Sequence, residues 1–166
     1  RIKFNPDGTP SHIEGSMRNI NDRILNQKEL LQATEKIKQS EKEYRSIFES
    51  FEDIYFRISL DGNIQNISPS VEKILKYKRE EIIDTSVANL YFNLEDRYKT
   101  LETLKEKGRV TDLETIFKDK ANNPIYVSIN THLVYDSNGN ALCSEGTIRD
   151  ISQRKKNELE IATANE

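Results

Sequence analysis

The chain of 166 residues carries a formal net charge of −3, with 35% hydrophobic and 32% charged residues. That length suits one domain with extensions, and the low apolar share implies that part of the chain is solvent-exposed helix rather than core. No basic patch supports contact with nucleic acid or an anionic membrane, and no apolar run approaches the length of a membrane span.

Arg1–Phe4 reads as the end of a strand, Asn5-Pro6-Asp7-Gly8 as a turn, and Ser11–Asn21 as the returning strand. Ile24–Phe51 holds no Gly or Pro and is rich in good helix formers. Leu30, Ile37, Tyr44 and Phe51 stand seven apart, with Ala33, Ser40 and Ile47 in the second seam position. Such a heptad favours pairing with another helix, and a homodimer through this linker helix is expected. The alternative is one amphipathic helix lying on its own domain. Ser40 with Glu43 forms a capping box, so a second short helix is expected to begin at Ser40.

From Asp53 the period changes to alternation. Ile54, Phe56, Ile58 and Leu60 point one way, and Tyr55, Arg57 and Ser59 the other. Asp61-Gly62 is a strong hairpin signal, and Asn63–Ser68 returns as a second strand. Ser70–Tyr77 and Lys78–Ile83 read as short helices. Leu94–Lys107 reads as a longer amphipathic helix with Tyr98, Leu101 and Leu104 on one face, ended by Gly108. Three strands follow, Val110–Lys118, Ile125–Tyr135 and Leu142–Ile151, the last two joined at Asn138-Gly139. A charged helix closes the chain from Gln153. This order predicts an α+β fold: a five-stranded antiparallel sheet with helices on one face, flanked by N- and C-terminal linker helices.

The chain also repeats itself. With Arg1–Arg23 laid over His132–Arg154, Gly8 falls on Gly139, Glu14-Gly15 on Glu145-Gly146, Arg18 on Arg149, Ile20 on Ile151 and Arg23 on Arg154, at one constant offset (139 − 8 = 131). A period this long suits tandem copies of a whole domain plus its linker, so the chain is expected to be a piece of a longer protein. The alternative is two unrelated hairpins that share turn chemistry.

Several segments resemble a known family. Ser40-Glu41-Lys42-Glu43-Tyr44-Arg45-Ser46-Ile47-Phe48-Glu49 is similar to the leading helix of PAS domains of bacterial and archaeal sensor proteins. Leu60-Asp61-Gly62-Asn63-Ile64 is similar to their first hairpin, and Tyr77-Lys78-Arg79-Glu80-Glu81-Ile82-Ile83 to the "GYSREELIG" segment. Glu95-Asp96-Arg97 stands where the family has "HPEDR", and Asp150-Ile151-Ser152-Gln153-Arg154-Lys155 resembles its closing "DITERK". Lys76 and Asp84 replace glycines usual around the second of these segments, Asn93-Leu94 replaces His-Pro, Ser68 stands where Asn is frequent, and Ala121-Asn122-Asn123 lacks a glycine common in that turn. The resemblance divides the chain into the last hairpin of a preceding PAS repeat (residues 1–23), a linker helix (24–43), a PAS domain (44–152) and the start of an exit helix (153–166).

The resemblance further implies a non-catalytic signal-sensing module of a multidomain sensor kinase in the cytoplasm, relaying to an output domain through its helices; the alternative is a ligand-free dimerisation or spacer scaffold. It implies a core pocket for a small molecule of unknown identity, lined by Phe56, Ile58, Ile74, Tyr91, Leu101, Leu113, Thr115, Phe117, Val127, Ile129, Thr131, Leu142 and Ser144. For each apolar member a plain core role is the competing reading. Asp150, Ser152 and Arg154 stand at the junction of the last strand with the exit helix and are the expected relay, with Ser152 capping that helix. His12 and His132 lie in hairpins, away from any nucleophile, and no phosphate loop or metal-spaced cluster occurs. A lone Cys143 on the last strand excludes an internal disulfide and suits a reducing compartment. Its place on a strand argues against a covalently held flavin. The lack of His in Leu94–Lys107 argues against haem.

Overall fold

The computed structural model describes residues 2–13, 15 and 19–164. The chain divides into two units, residues 1–44 and 45–166. In the first unit, β1 (Ile2–Phe4) pairs antiparallel with β2 (Pro10–Ile13). The turn between them closes through Asn5 N–H to the Thr9 carbonyl at 2.8 Å and Gly8 N–H to the Asn5 carbonyl at 3.0 Å. Gly8 stands at φ +84°, which an L side chain resists. The rest of the expected return strand, Glu14 and Ser16–Arg18, lies outside the described residues.

Helix α1 then runs unbroken from Asn21 to Ser50. The Asn19 side-chain oxygen accepts from Asn21 N–H at 2.9 Å and starts it. The expected new helix at Ser40 does not occur. Ser40 continues α1, and Gln39 Nε2 donates to Glu43 Oε1 one turn on at 2.9 Å. With no Gly or Pro over 30 residues, nothing interrupts the ladder.

In the second unit five strands form one antiparallel sheet in the order β4-β3-β7-β6-β5: β3 (Ile54–Ser59), β4 (Ile64–Ile67), β5 (Arg109–Lys118), β6 (Pro124–Tyr135) and β7 (Ala141–Asp150). The alternation of β3 is reproduced in its burial, with Ile54, Phe56 and Ile58 in the core. Between β4 and β5 lie α2 (Ser70–Ile74), α3 (Arg79–Ile82), a 3₁₀ turn (Val87–Leu90) and α4 (Leu94–Lys107). Val71, Leu75, Ile82, Val87 and Leu90 from this block form one cluster with Phe56, Val127, Ile129 and Ile148 from the sheet. Asn93 Oδ1 caps α4, and Gly108 at φ +69° ends it. The chain leaves the sheet as α5 (Ser152–Ala164).

Three of the glycine replacements occupy left-handed backbone. Lys76, Asp84 and Asn122 stand at φ +63°, +61° and +63°. Asp119 supports the last of them by accepting from the N–H groups of Ala121 and Asn123, each at 2.8 Å. Gly146, by contrast, is required by contact: a Cβ there would lie 1.9 Å from the Asn130 carbonyl oxygen.

The two ends of the chain share their local geometry at the offset of 131. Ile2 pairs with Ile13 as Leu133 pairs with Ser144, and the register slips after Lys3 as it does after Val134. Gly8 and Gly139 both stand at φ +84°. Asp150 Oδ1 accepts from Ser152 N–H at 2.8 Å, as Asn19 does from Asn21. Ile24 N–H meets the Ile20 carbonyl as Lys155 N–H meets that of Ile151.

Replacing Lys76 with Gly removes the left-handed strain at some cost in unfolded-chain entropy. The expected gain is about 0.5–1 kcal/mol, read as a rise of a few degrees in a thermal melt. Gly146→Ala is expected to destabilise by about 3 kcal/mol or more in the same assay, because backbone rather than a side-chain tip must move.

Candidate functional site

The core holds one partly enclosed cavity between α4 and the sheet, of about 20 Å³. That is space for about one water molecule. Its sheet wall is Phe56, Ile58, Phe117, Ile129, Thr131, Ser144 and Ile148; Val87, Tyr91, Arg97, Thr100 and Leu104 close the other side. Tyr91 and Phe117 rings meet at 4.7 Å. The hydroxyls are largely committed. Thr131 donates to the Glu145 carbonyl at 3.1 Å, and Thr100 donates to the Asp96 carbonyl at 2.7 Å while accepting from Tyr91 at 3.4 Å. The Arg97 guanidinium lies 5.9 Å from the Tyr91 ring centroid.

Phe56, Ile58, Tyr91, Phe117, Ile129, Thr131 and Ser144 of the expected pocket all line this cavity. Six others do not line it. Val127 is fully buried core, and Ile74 packs against that core from α2. Thr115 turns its hydroxyl to the Asp96 carboxylate at 3.0 Å. Leu113 follows a break in the β5–β6 register and is half-buried. Leu101 lies half-buried on the flank of α4, beside Tyr98, which is 67% exposed. Leu142 is 54% exposed, because it occupies the bulge where Val134 pairs with Cys143 and Tyr135 with Ala141. Five lining residues are absent from the expected pocket. Arg97 and Thr100 are polar residues on the inner face of α4, Leu104 belongs to that face rather than to Tyr98's, and Val87 sits in the 3₁₀ turn. Ile148 was within reach of simple alternation from Ser144 and Gly146.

A second cluster occupies the opposite face of the sheet. Glu145 Oε2 accepts from the Tyr55 hydroxyl at 2.8 Å and from Arg57 at 2.8 and 3.1 Å, and His132 Nε2 lies 3.8 Å from its other oxygen. The Arg57 guanidinium holds the Glu145 carboxyl below its ordinary range, with the Tyr55 hydroxyl aiding, and burial opposing. At the junction with α5 the cap comes from Asp150 rather than Ser152. The Ser152 hydroxyl instead accepts from Tyr126 N–H on β6 at 3.2 Å, and Ile151 N–H donates to the Tyr126 carbonyl. Glu114 on β5 takes Arg154 at 2.7 Å and Lys155 at 2.6 Å, and these two cations lower its pKa.

A PAS domain family model matches residues 52–153. The chain belongs to the PAS domain family. Solved PAS domains share the fold: one from Colwellia psychrerythraea at 20% identity and TM-score 0.61, covering 68% of this chain and 97% of that one. An HTR-like protein from Haloarcula marismortui supplies another, at 17% and 0.62, covering 72% and 98%. A third, from a two-component sensor histidine kinase, matches at 12% and 0.58, covering 68% and 97%. A comparison with curated proteins finds no match. PAS domains are in general non-catalytic sensory or signalling modules.

The core cavity of about 20 Å³ is smaller than a flavin or haem ring system. Helix α4 offers no histidine, and Cys143 lies on β7 in register with Ser59. Among the described residues no group of three or more His, Cys, Asp or Glu is arranged to hold a metal ion, and no helix is long and apolar enough to cross a membrane.

Because the folded pKa of Glu145 is depressed, its contribution is present above the ordinary glutamate value and is lost as pH falls through the folded value. Thermal melts between about pH 6 and about pH 3 are expected to lose stability less steeply for Glu145→Gln than for wild type. Equal slopes would mean that the Arg57–Glu145 pair contributes nothing to folding.

Proposed function

We propose that this PAS domain relays signals within a tandem array of such domains, in a multidomain sensor protein of the sensor histidine kinase type. The observation that carries this reading is the junction written twice. Strand register, bulge, turn glycine, Asx cap and first helical bond recur at one offset of 131 residues. Turn and bulge also occur together in the β3–β4 hairpin, where Gly62 stands at φ +90° and the register slips after Arg57, so they belong to the hairpin type; the helix start that follows at the same spacing is what supports the reading. On this reading residues 1–23 are the closing hairpin of a preceding copy, and residues 24–43 are the linker helix that leads into this domain.

The helices carry the relay. Exit helix α5 is held to β6 through Tyr126 and to β5 through Glu114, so a shift of the sheet moves the helix. Relay requires two states that a signal populates differently. On α1, Leu30 and Ile37 are 68% and 69% exposed, which supports a seam for a second copy of the chain. The kinase context draws on the likeness to the sensor histidine kinase domain. A cytoplasmic setting goes with it and suits the unpaired Cys143. The competing reading, a ligand-free dimerising spacer, draws on the near-filled core.

Asp150→Ala combined with Ser152→Ala tests the relay in the whole parent protein. The double variant loses a cap worth about 1 kcal/mol, so the domain still folds. Its output activity is expected to change several-fold from wild type, with a melting temperature lower by only a few degrees. Unchanged output would leave the spacer reading standing and remove the relay.

A further inference from the structure

We infer that this domain takes its input from the position of α1, and that Tyr55 carries it over the outer face of the sheet to the strand that starts α5. This rests on the relay reading and names what drives the junction. The contacts form a chain. Phe48, the buried residue of α1, meets the Tyr55 ring edge-on, with centroids 5.8 Å apart. Phe51, just past the helix, stacks on the same ring at 6.5 Å. The Arg79 guanidinium lies 5.5 Å from the Phe48 ring centroid and donates to Asn66 on β4 at 2.7 Å, which seats the helix end against the sheet edge. Tyr55 in turn donates its hydroxyl to Glu145 Oε2 on β7 at 2.8 Å. Strand β7 then runs to Asp150, whose carboxylate caps α5.

Tyr55 is the positioning residue on chemical grounds. A phenol ring is a rigid plate, so a push on the ring arrives at the hydroxyl. Its bond to the carboxylate is charge-assisted and directional, and the Glu145 side chain is only 22% exposed. A second link runs beside it, since Arg149 donates to Asp53 Oδ2 from Nε at 3.0 Å and from Nη2 at 2.9 Å. The Arg149 side chain is 68% exposed, so water and salt loosen that pair. Ile54 and Phe56, the neighbours of Tyr55 on β3, belong to the core. A displacement passed through Tyr55 therefore reaches β7 without repacking the core, whose close packing resists gradual change. Such a route needs two arrangements of α1 that a signal upstream populates differently.

The test is a double-mutant cycle on the 166-residue chain, read as amide chemical shifts by NMR. Phe48→Leu alters the entry and keeps the site apolar. It is expected to shift the amides of Glu145 and of residues 152–155. Tyr55→Phe keeps the ring contacts and removes the hydroxyl. Made on that background, Phe48→Leu should shift the α5 amides by less than about half as much. Direct ring-current effects of Phe48 are the same in both backgrounds and cancel. Made on Arg149→Gln instead, Phe48→Leu should shift the α5 amides almost in full. Equal shifts with and without the Tyr55 hydroxyl would overturn the proposal. No shift in α5 on Phe48→Leu would do so too, and so would a loss confined to the Arg149→Gln background. Should Phe48→Leu fail to fold, Phe51→Leu makes the same cycle at a residue 42% exposed. The cycle can fail while the junction variant still alters output, and the relay then stands with its input elsewhere.

Discussion

Strand β7 is the constraint on which the rest depends. It is paired on both sides, to β3 and to β6, and so joins the first hairpin of the domain to the last. Its inward residues, Ser144 and Ile148, form part of the cavity wall, while Glu145 on the other face gathers Tyr55, Arg57 and His132. Between them Gly146 lets β6 come so close that no Cβ fits. The strand ends at Asp150, whose carboxylate starts α5. A change in either neighbour of β7 is therefore felt in the core, on the outer face and at the exit helix together.

Much of this was legible in the sequence because strands and turns announce themselves locally. Asp61-Gly62 and Asn138-Gly139 pin two hairpins, and Gly62 and Gly139 do take positive φ. Alternation along β3 and β6 then assigns the inward face once a single residue is placed. Gly108 likewise marks the end of α4 to the residue. The 3₁₀ turn at Val87–Leu90 was not legible, since a single turn has no period to detect.

The face of α4 was misjudged for a physical reason. Apolar pattern selects Tyr98, Leu101 and Leu104, yet the helix turns Arg97, Thr100 and Leu104 to the cavity. Thr100 is buried without penalty because its hydroxyl bonds the Asp96 carbonyl one turn back. Arg97 is half-buried, with its guanidinium carbon 5.9 Å from the Tyr91 ring centroid. Tyr98 needs no burial, as single exposed aromatics are ordinary. A cavity wall built of polar residues on an inward helical face is thus the part that a search for hydrophobic stripes passes over. Leu142 shows the converse: the bulge breaks the period-two rule at the residue where the rule was applied.

The junction with α5 shows why the fold suits a relay. The sheet is close-packed, and an interior of that kind has discrete arrangements rather than a continuum. The exit helix, in contrast, has no buried residue and is held by an Asx cap, two bonds to the Tyr126 backbone and ion pairs to Glu114. Exposed ion pairs of that sort are weak and screened by salt. A stiff sheet joined to a softly held helix places the low-energy motion at Asp150–Lys155. A small displacement of β5 or β6 costs little to transmit there, and it would be resisted if α5 were packed into the core. A long α1, exposed along Leu30 and Ile37, starts on the same kind of cap, with Asn19 in the place of Asp150. A stiff sheet followed by a softly held helix start is what the proposed relay would use at such a junction, because the helix can then respond without the sheet unfolding.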